Sequence, residues 1–118
     1  GDGLQTRSFM YIDDCVEGLY RLMHSDYCAP INLGTDEMIS INDLVDIAAE
    51  IAGKTITKRH DLTKPQGVRG RNSDNSLIRK VLDWEPKIMI REGLVPTYRW
   101  IEEEIAQSQP VLHSVAAE

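Results

Sequence analysis

Two stretches of the chain carry residues whose type and spacing could do chemistry. The first is Gly67-Val68-Arg69-Gly70-Arg71-Asn72, with two arginines separated by one glycine. A guanidinium is a planar fork of donors that matches phosphate oxygens, and glycine lets backbone approach a ligand closely. The stretch ends a wider basic run: Lys54, Lys58, Arg59, His60, Lys64, Arg69 and Arg71 are opposed only by Asp61. Such a run is either a solvated loop or an anion site, and the Arg-Gly-Arg spacing favours the anion site. The second stretch is Gly1-Asp2-Gly3-Leu4-Gln5-Thr6-Arg7, where a tight-turn dipeptide leads to an arginine ahead of an apolar segment. Taken alone, that arginine implies no more than solubility.

The remaining polar residues make no other constellation. Cys15 and Cys28 have neither CxxC spacing nor histidines at zinc-ligand spacing, so they are expected to be reduced, partly buried thiols. His24, His60 and His113 are scattered. Asp43, Asp46 and Glu50 fall on the outer side of one helix, and Glu102, Glu103 and Glu104 lie beside Arg99 in another. Trp84, Tyr98 and Trp100 are expected to anchor the core. The charge balance, 13 basic against 19 acidic residues, is −6. That argues against nucleic acid as a general partner while leaving room for a local basic site. No apolar run approaches the roughly 20 residues of a membrane span. The opening Gly-Asp-Gly lacks the features of a signal peptide, which points to the cytoplasm. A start without Met points to a piece of something longer.

The elements that must position the two basic stretches alternate between strand and helix. Ser8 to Ile12 is predicted as an apolar strand, followed by a helix capped by Asp13 or Asp14, with Val16, Leu19, Tyr20 and Met23 on its inward face. Pro30 to Gly34 is predicted as a second short strand. Ser40 caps a second helix, whose inward positions are Ile41, Leu44, Val45, Ala48 and Ile51, and Gly53 ends it. Thr55 to Thr57 is a candidate third strand. Asp61 to Asn75, with Pro65, Gly67 and Gly70, is predicted as a long functional loop. Leu77, Ile78, Val81 and Leu82 mark a short helix stopped by Trp84-Glu85-Pro86. A last helix is predicted from Leu94 to Gln107, with Leu94, Tyr98, Ile101 and Ile105 inward and Pro96 in its first turn. The fold class is α/β, with one partial domain over 1–107 and a tail over 108–118.

These residues resemble a known family. Gly1-Asp2-Gly3-x-Gln5-x-Arg7-Ser8-Phe9, then Tyr11-Ile12-Asp13-Asp14-Cys15-Val16-Glu17-Gly18, is similar to the mid-chain signature of extended short-chain dehydrogenases/reductases acting on nucleotide sugars. Pro30-Ile31-Asn32-Leu33-Gly34, Asp74 to Leu82 followed by Trp84-x-Pro86, and Glu92-Gly93-Leu94 to Trp100-Ile101 fit the same family. Gln5-Thr6-Arg7-Ser8-Phe9, Asp36-Glu37-Met38 and Gly67 to Asn75 look most like the members that epimerise GDP-mannose. Most relatives carry Arg-Pro-Gly-Asp where this chain has Val68-Arg69-Gly70-Arg71.

The resemblance implies the C-terminal part of the extended fold, with a few short strands and about four helices. It implies that Gln5, Thr6, Arg7 and Arg71 contact a GDP-sugar. Arg69 is a further candidate that either faces solvent or pairs with an acid, while Asn72 and Asp74 hold the loop and cap the next helix. The first arm, at the very start of the chain, is expected to fray. Asp83 stands where the family has a helix-ending glycine, a strain of about 1 kcal/mol. The family binds NAD on a Gly-x-x-Gly-x-x-Gly loop and oxidises through Tyr-x-x-x-Lys. Neither exists here: the residues four after Tyr11, Tyr20, Tyr27 and Tyr98 are Cys15, His24, Ile31 and Glu102. This chain is therefore expected to bind no NAD and to carry no catalytic residue. Residues 8–34 would join the NAD-binding half in the intact family. Without it, the chain is expected to associate with itself or with that missing half. The other readings are a piece of a UDP- or dTDP-sugar epimerase or dehydratase, a stand-alone anion-binding module, and a self-associating interaction module.

Overall fold

A computed structural model describes residues 1–108. Its order is β1 (Thr6–Arg7), α1 (Ile12–Met23), β2 (Ile39–Ser40), α2 (Ile41–Ile51), β3 (Gly70–Arg71), α3 (Ser76–Leu82) and α4 (Ile90–Ser108). The three strands form one sheet in the order β2-β1-β3. β1 pairs antiparallel with β2, Thr6 opposite Ser40 and Arg7 opposite Ile39. It pairs parallel with β3, Thr6 opposite Gly70 and Arg7 opposite Arg71. The α/β class and the four helices stand as expected.

The helix ends follow local chemistry. Ser40 Oγ accepts the Asp43 N–H at 3.0 Å, the side-chain cap expected of it. Gly53, at φ +63°, closes α2. There the Gly53 N–H donates to the Glu50 carbonyl and the Lys54 N–H to the Ala49 carbonyl, a Schellman ending. α3 ends on Asp83 at φ 46°, a left-handed conformation at a residue with a Cβ, so the predicted strain is present.

Several expectations are corrected. Ser8 to Ile12 is not a strand: pairing stops at Arg7, and α1 begins at Ile12. The capping position belongs to Tyr11, with no side-chain cap bond, while Asp13 and Asp14 occupy the first turn. Pro30 to Gly34 and Thr55 to Thr57 adopt no ladder, and the long loop is instead interrupted by β3. Strand propensity needs a neighbouring edge to become a strand, and the sheet here offers only two-residue edges. α4 starts four residues earlier than predicted. Pro96 therefore lies in the helix interior rather than its first turn, which deprives the Glu92 carbonyl of its helical donor. Ser108, assigned to the tail, is the last residue of α4, and the rest of the tail, His113 included, lies outside the described residues.

The core is small. Ile47, Ile78 and Trp84 are its buried apolar members, Ile78 at 1% exposure. On α2 the buried position is Ile47, and Val45 faces out. Trp84 is buried as expected, whereas Trp100 is 61% exposed and is no core residue among the described residues; Tyr98 is half-buried. Gly18 sets how closely α1 approaches Trp84: a Cβ there would sit 2.8 Å from the Trp84 ring and 2.5 Å from Leu33 Cδ1. The α1 face predicted inward is exposed among the described residues, at Val16, Leu19, Tyr20 and Met23, with Met23 at 81%, and Ile12 at the start of α1 is exposed as well. Ile101 and Ile105 on α4 are exposed as well. Of the cysteines, Cys15 is half-buried and Cys28 exposed, both free.

Candidate anion site on the three-stranded sheet

The sheet brings together the two arms that the sequence separates. The Thr6 N–H donates to the Arg69 carbonyl at 2.8 Å, and the Thr6 hydroxyl reaches the same oxygen at 3.4 Å. Register partners on parallel strands project to the same face, about 4.8 Å apart. Arg7 and Arg71 are such partners. Thr6 and position 70 share the opposite face, where a Cβ on Gly70 would lie 2.9 Å from Thr6 Oγ1 and 3.4 Å from Met38 Cε. Glycine at position 70 is thus required by close approach rather than by an unusual backbone angle.

The first arm does not fray. The Ile41 N–H donates to the Gln5 carbonyl at 3.2 Å, and the Asn42 N–H to the Gly3 carbonyl at 3.0 Å. The Asn42 side chain also donates to the Asp2 carbonyl at 3.1 Å. These bonds pin residues 2–5 against the start of α2.

The charges on the sheet differ in how far they are committed. Arg7 is half-buried, and its Nη1 donates to the Thr6 carbonyl at 2.6 Å and to the Val68 carbonyl at 2.7 Å. Arg69 is largely exposed and reaches Asp2 at 3.4 Å, so it does both things expected of it. Asp2 lies below the ordinary carboxylate range, chiefly because it accepts the Leu4 N–H, with Arg69 adding to the effect. Arg71 is exposed, and no carboxylate pairs with it or with Arg7 among the described residues. Gln5 Oε1 is buried without a hydrogen-bond partner.

Residues after Arg71 are held as well. Asn72 Nδ2 donates to the Asp36 carbonyl at 3.4 Å, and the Ser73 N–H to the Thr35 carbonyl at 3.2 Å. Asp74 accepts the Ser76 N–H at 2.9 Å at the start of α3, which lowers its pKa. Asn72 thus holds the loop as expected, whereas the capping position of α3 belongs to Asn75, which makes no side-chain cap bond, and Asp74 closes the turn just before it.

Two carboxylates take positioning roles that the sequence did not assign to them. Asp14, 7% exposed, accepts the Lys87 N–H at 2.9 Å and the Ile88 N–H at 2.7 Å. Glu37 accepts the Ile90 N–H at 2.8 Å, at the positive end of α4. No local signal announces either role, because the donors lie over fifty residues away.

A groove of about 660 Å³ lies away from the arginines, between Phe9, Tyr11 and Ile12 on one side and Ile88, Leu94 and Trp100 on the other. It is lined by no charged side chain and so cannot neutralise a phosphate. Nor do the described residues contain a group of three or more histidine, cysteine, aspartate or glutamate side chains that could hold a metal ion.

Comparison with known proteins decides the kinship. Residues 1–97 match the GDP-mannose 4,6 dehydratase family. The chain belongs to that family. This family member is 49% identical over 109 residues to GDP-mannose 3,5-epimerase of Arabidopsis thaliana, which covers 92% of the chain and 29% of that relative. It is 39% identical over 94 residues to UDP-glucuronic acid decarboxylase 1 of the same plant, covering 80% of the chain and 22% of the relative. Among solved structures, UDP-glucose 4-epimerase of Thermotoga maritima with UDP-glucose superposes at a TM-score of 0.82 and 28% identity, over 89% of this chain and 34% of that one. UDP-glucuronic acid 4-epimerase of Bacillus cereus with NAD gives 0.76 and 33%, over 88% and 33%. The chain therefore spans about a third or less of the length of these relatives.

NAD, present in the Bacillus cereus structure, does not fit the residues of this chain. A dinucleotide loop needs clustered glycines between a strand and a helix N-terminus. The β1–α1 connection, Ser8 to Tyr11, has none, and β2 runs into α2 at Ser40-Ile41 without one.

Proposed function

We propose that this chain is the C-terminal, substrate-binding portion of a nucleotide-sugar epimerase most like GDP-mannose 3,5-epimerase. It holds a GDP-sugar by the pyrophosphate on the face carrying Arg7 and Arg71. One observation carries this reading: two arginines lie side by side in register, and among the described residues no acid pairs with either. Adjacent like charges repel, and an anion between them removes the penalty. A pyrophosphate brings two charges and several acceptors, which suits two strands each bearing a guanidinium. Arg71 supplies the uncommitted fork. Gln5, Thr6 and Arg69 flank it.

Calorimetric titration of the chain with GDP, GDP-mannose and UDP tests the reading. GDP binding that Arg71→Gln abolishes supports it. UDP preferred over GDP moves the chain to the UDP-sugar members of the family, and no binding of any of the three sinks the reading.

The chain turns over no substrate by itself. Epimerisation needs a hydride acceptor and positioned proton-transfer groups, and this chain supplies neither. Isomerised product from the chain plus NAD and GDP-mannose would overturn this. The exposed α1 face and the Phe9–Trp100 groove are where the NAD-binding half of the enzyme, or a second copy in its absence, would cover apolar surface. A strictly monomeric species in light scattering counts against that. The cytoplasm is the proposed location, supported by two unpaired cysteines. No helix of the described residues is long and apolar enough to cross a membrane.

A further inference from the structure

We propose that two copies of this chain meet through surfaces that lie at opposite ends of α2: the turn around Leu62 of one copy docks on the exposed apolar stripe of α4 in the other. The contact uses no residue of the three-stranded sheet, so it stands or falls apart from the anion site.

Leu94, Tyr98, Ile101 and Ile105 recur at spacings of four, three and four, which places them on one face of α4. The first half of that face is covered. Leu94 and Tyr98 are half-buried, and Val95, Tyr98 and Glu102 border a cleft against Ile51 and Ala52 at the end of α2. α4 then runs on past α2 to Ser108, and there Ile101 and Ile105 are 44% and 54% exposed. The helical repeat puts Glu102 on one side of these two isoleucines and Glu104 on the other. No cation pairs with either glutamate among the described residues. A second α4 laid along the stripe would set the glutamates against their own copies. The stripe therefore selects against its own kind and for an apolar surface flanked by positive charge.

The other end of α2 carries such a surface. Lys58 Nζ donates to the Asn42 carbonyl at 3.3 Å and to Asp46 at 2.6 Å, and His60 Nε2 lies 2.8 Å from Asn42 Oδ1. These bonds tie the middle of the basic run to the first turns of α2. Just beyond, the Lys64 N–H donates to the Asp61 carbonyl at 3.3 Å, which closes a turn with Leu62 at its tip, 69% exposed. Arg59 and Lys64 are exposed, and neither pairs with an acid among the described residues. The one acid in the turn, Asp61, is directed onto the Thr63 N–H at 3.0 Å and its hydroxyl at 2.6 Å. An exposed leucine between two uncommitted cations is the counterpart of two exposed isoleucines between two uncommitted glutamates. The two surfaces do not meet within one copy, because α2 rises about 14 Å from Asn42 to Ile51 and the stripe begins at that far end. Between copies, the charges set the register, and Leu62 on Ile101 and Ile105 removes apolar surface from water.

Sedimentation velocity on the full 118-residue chain tests the contact. Every species carries Leu19→Gln with Met23→Gln, so that apolar association through the exposed α1 face does not mask it. Three species are compared: this parent, the acid variant E102K/E104K and the base variant R59E/K64E. The parent is expected to self-associate, and to do so about tenfold more weakly when salt rises from about 0.05 M to about 0.5 M, because exposed charges are screened. Each variant alone is expected to lose association about tenfold or more at low salt. An equimolar mixture of the two is expected to regain it: the acidic turn of the base variant meets the basic stripe of the acid variant, and the remaining turn and stripe keep their native charges. That recovery also shows both variants to be folded. A monomeric parent at low salt, a variant that associates as the parent does, or a mixture no tighter than its components each overturns the proposal. Association that ignores both salt and the variants assigns the covered surface to the Phe9–Trp100 groove. A monomeric parent that associates once Val111→Lys and Leu112→Lys are added assigns the stripe to the chain's own tail. Both of these outcomes overturn the proposal as well.

Discussion

The sheet and the α1 face stand in contrast. The sheet is polar, built on two-residue strands, and secured by bonds its own residues make: β1 to the start of α2, Arg7 to Val68, Asn72 to Asp36. The α1 face is apolar and regular, yet Ile12, Val16, Leu19, Tyr20 and Met23 are all exposed among the described residues. One region is polar and holds its geometry through its own hydrogen bonds. The other is regular in secondary structure and leaves large apolar side chains exposed. A segment can therefore be well formed and still be unfinished, and what it lacks is legible in the character of what it exposes.

Both regions hang from one small core, and breaking that core removes the contrast altogether. Trp84→Ala should cost about 3–5 kcal/mol, because Trp84 is buried and seats Gly18 of α1. Chemical denaturation checks it. A loss well under 1 kcal/mol would mean that α1 is held by something else.

The next largest effect separates the regions. Arg71→Gln should weaken GDP binding by about 1.5–3 kcal/mol, the worth of hydrogen bonds to a charged group, and leave the unfolding midpoint within error. The complementary change is Leu19→Lys with Met23→Lys on α1. It should reduce self-association in sedimentation and leave GDP affinity alone. If either variant moves both readouts together, the two regions are coupled and the comparison fails.

A smaller effect concerns the turn between α3 and Trp84. Asp83→Gly should stabilise the chain by up to about 1 kcal/mol, since glycine adopts the left-handed conformation at φ 46° without a Cβ penalty. Thermal unfolding would register it as a raised midpoint, and a lowered one would show that the aspartate earns its place through contacts.

The smallest effect is acid loosening of the loop. Asp2, Asp61 and Asp74 all lie below the ordinary value of 3.8, through the Leu4 N–H, the Thr63 hydroxyl and the Ser76 N–H respectively. A depressed carboxylate contributes order that is fully present above its unfolded value and is lost as pH falls through its folded value. The turns at 2–4, 61–63 and 74–76 should hold at pH 5 and loosen below about pH 3.8, while α1, which makes none of these contacts, changes less. Amide exchange followed from pH 5 to pH 3 distinguishes the two regions.

Much of the architecture was readable along the chain. Helix periodicity located α1, α2 and α3, and Ser40 and Gly53 bounded α2, because a cap and a left-handed ending are decided within four or five residues. The strain at Asp83 followed instead from the resemblance, in which a helix-ending glycine stands at that position. The Arg-Gly-Arg spacing drew attention to the loop that pairs with β1. What local pattern could not supply was pairing. Ser8 to Ile12 and Pro30 to Gly34 have strand composition, but no edge receives them, while Gly70–Arg71 pairs because β1 lies beside it. Trp100 has the composition of a core residue and stands in solvent, since burial depends on what arrives to cover it.

By itself, then, the sequence determined that there are four helices, both ends of α2, the acidic balance with its one basic run, and the residues able to meet a phosphate. All of these follow from short-range chemistry or from simple counting. Only the tertiary structure decided that Arg7 stands opposite Arg71, that Arg7's Nη1 is spent on two carbonyls, and that Asp14 and Glu37 hold the segment entering α4. Each of those facts joins residues distant along the chain. Such joins depend on how the elements close on one another, which no local pattern encodes.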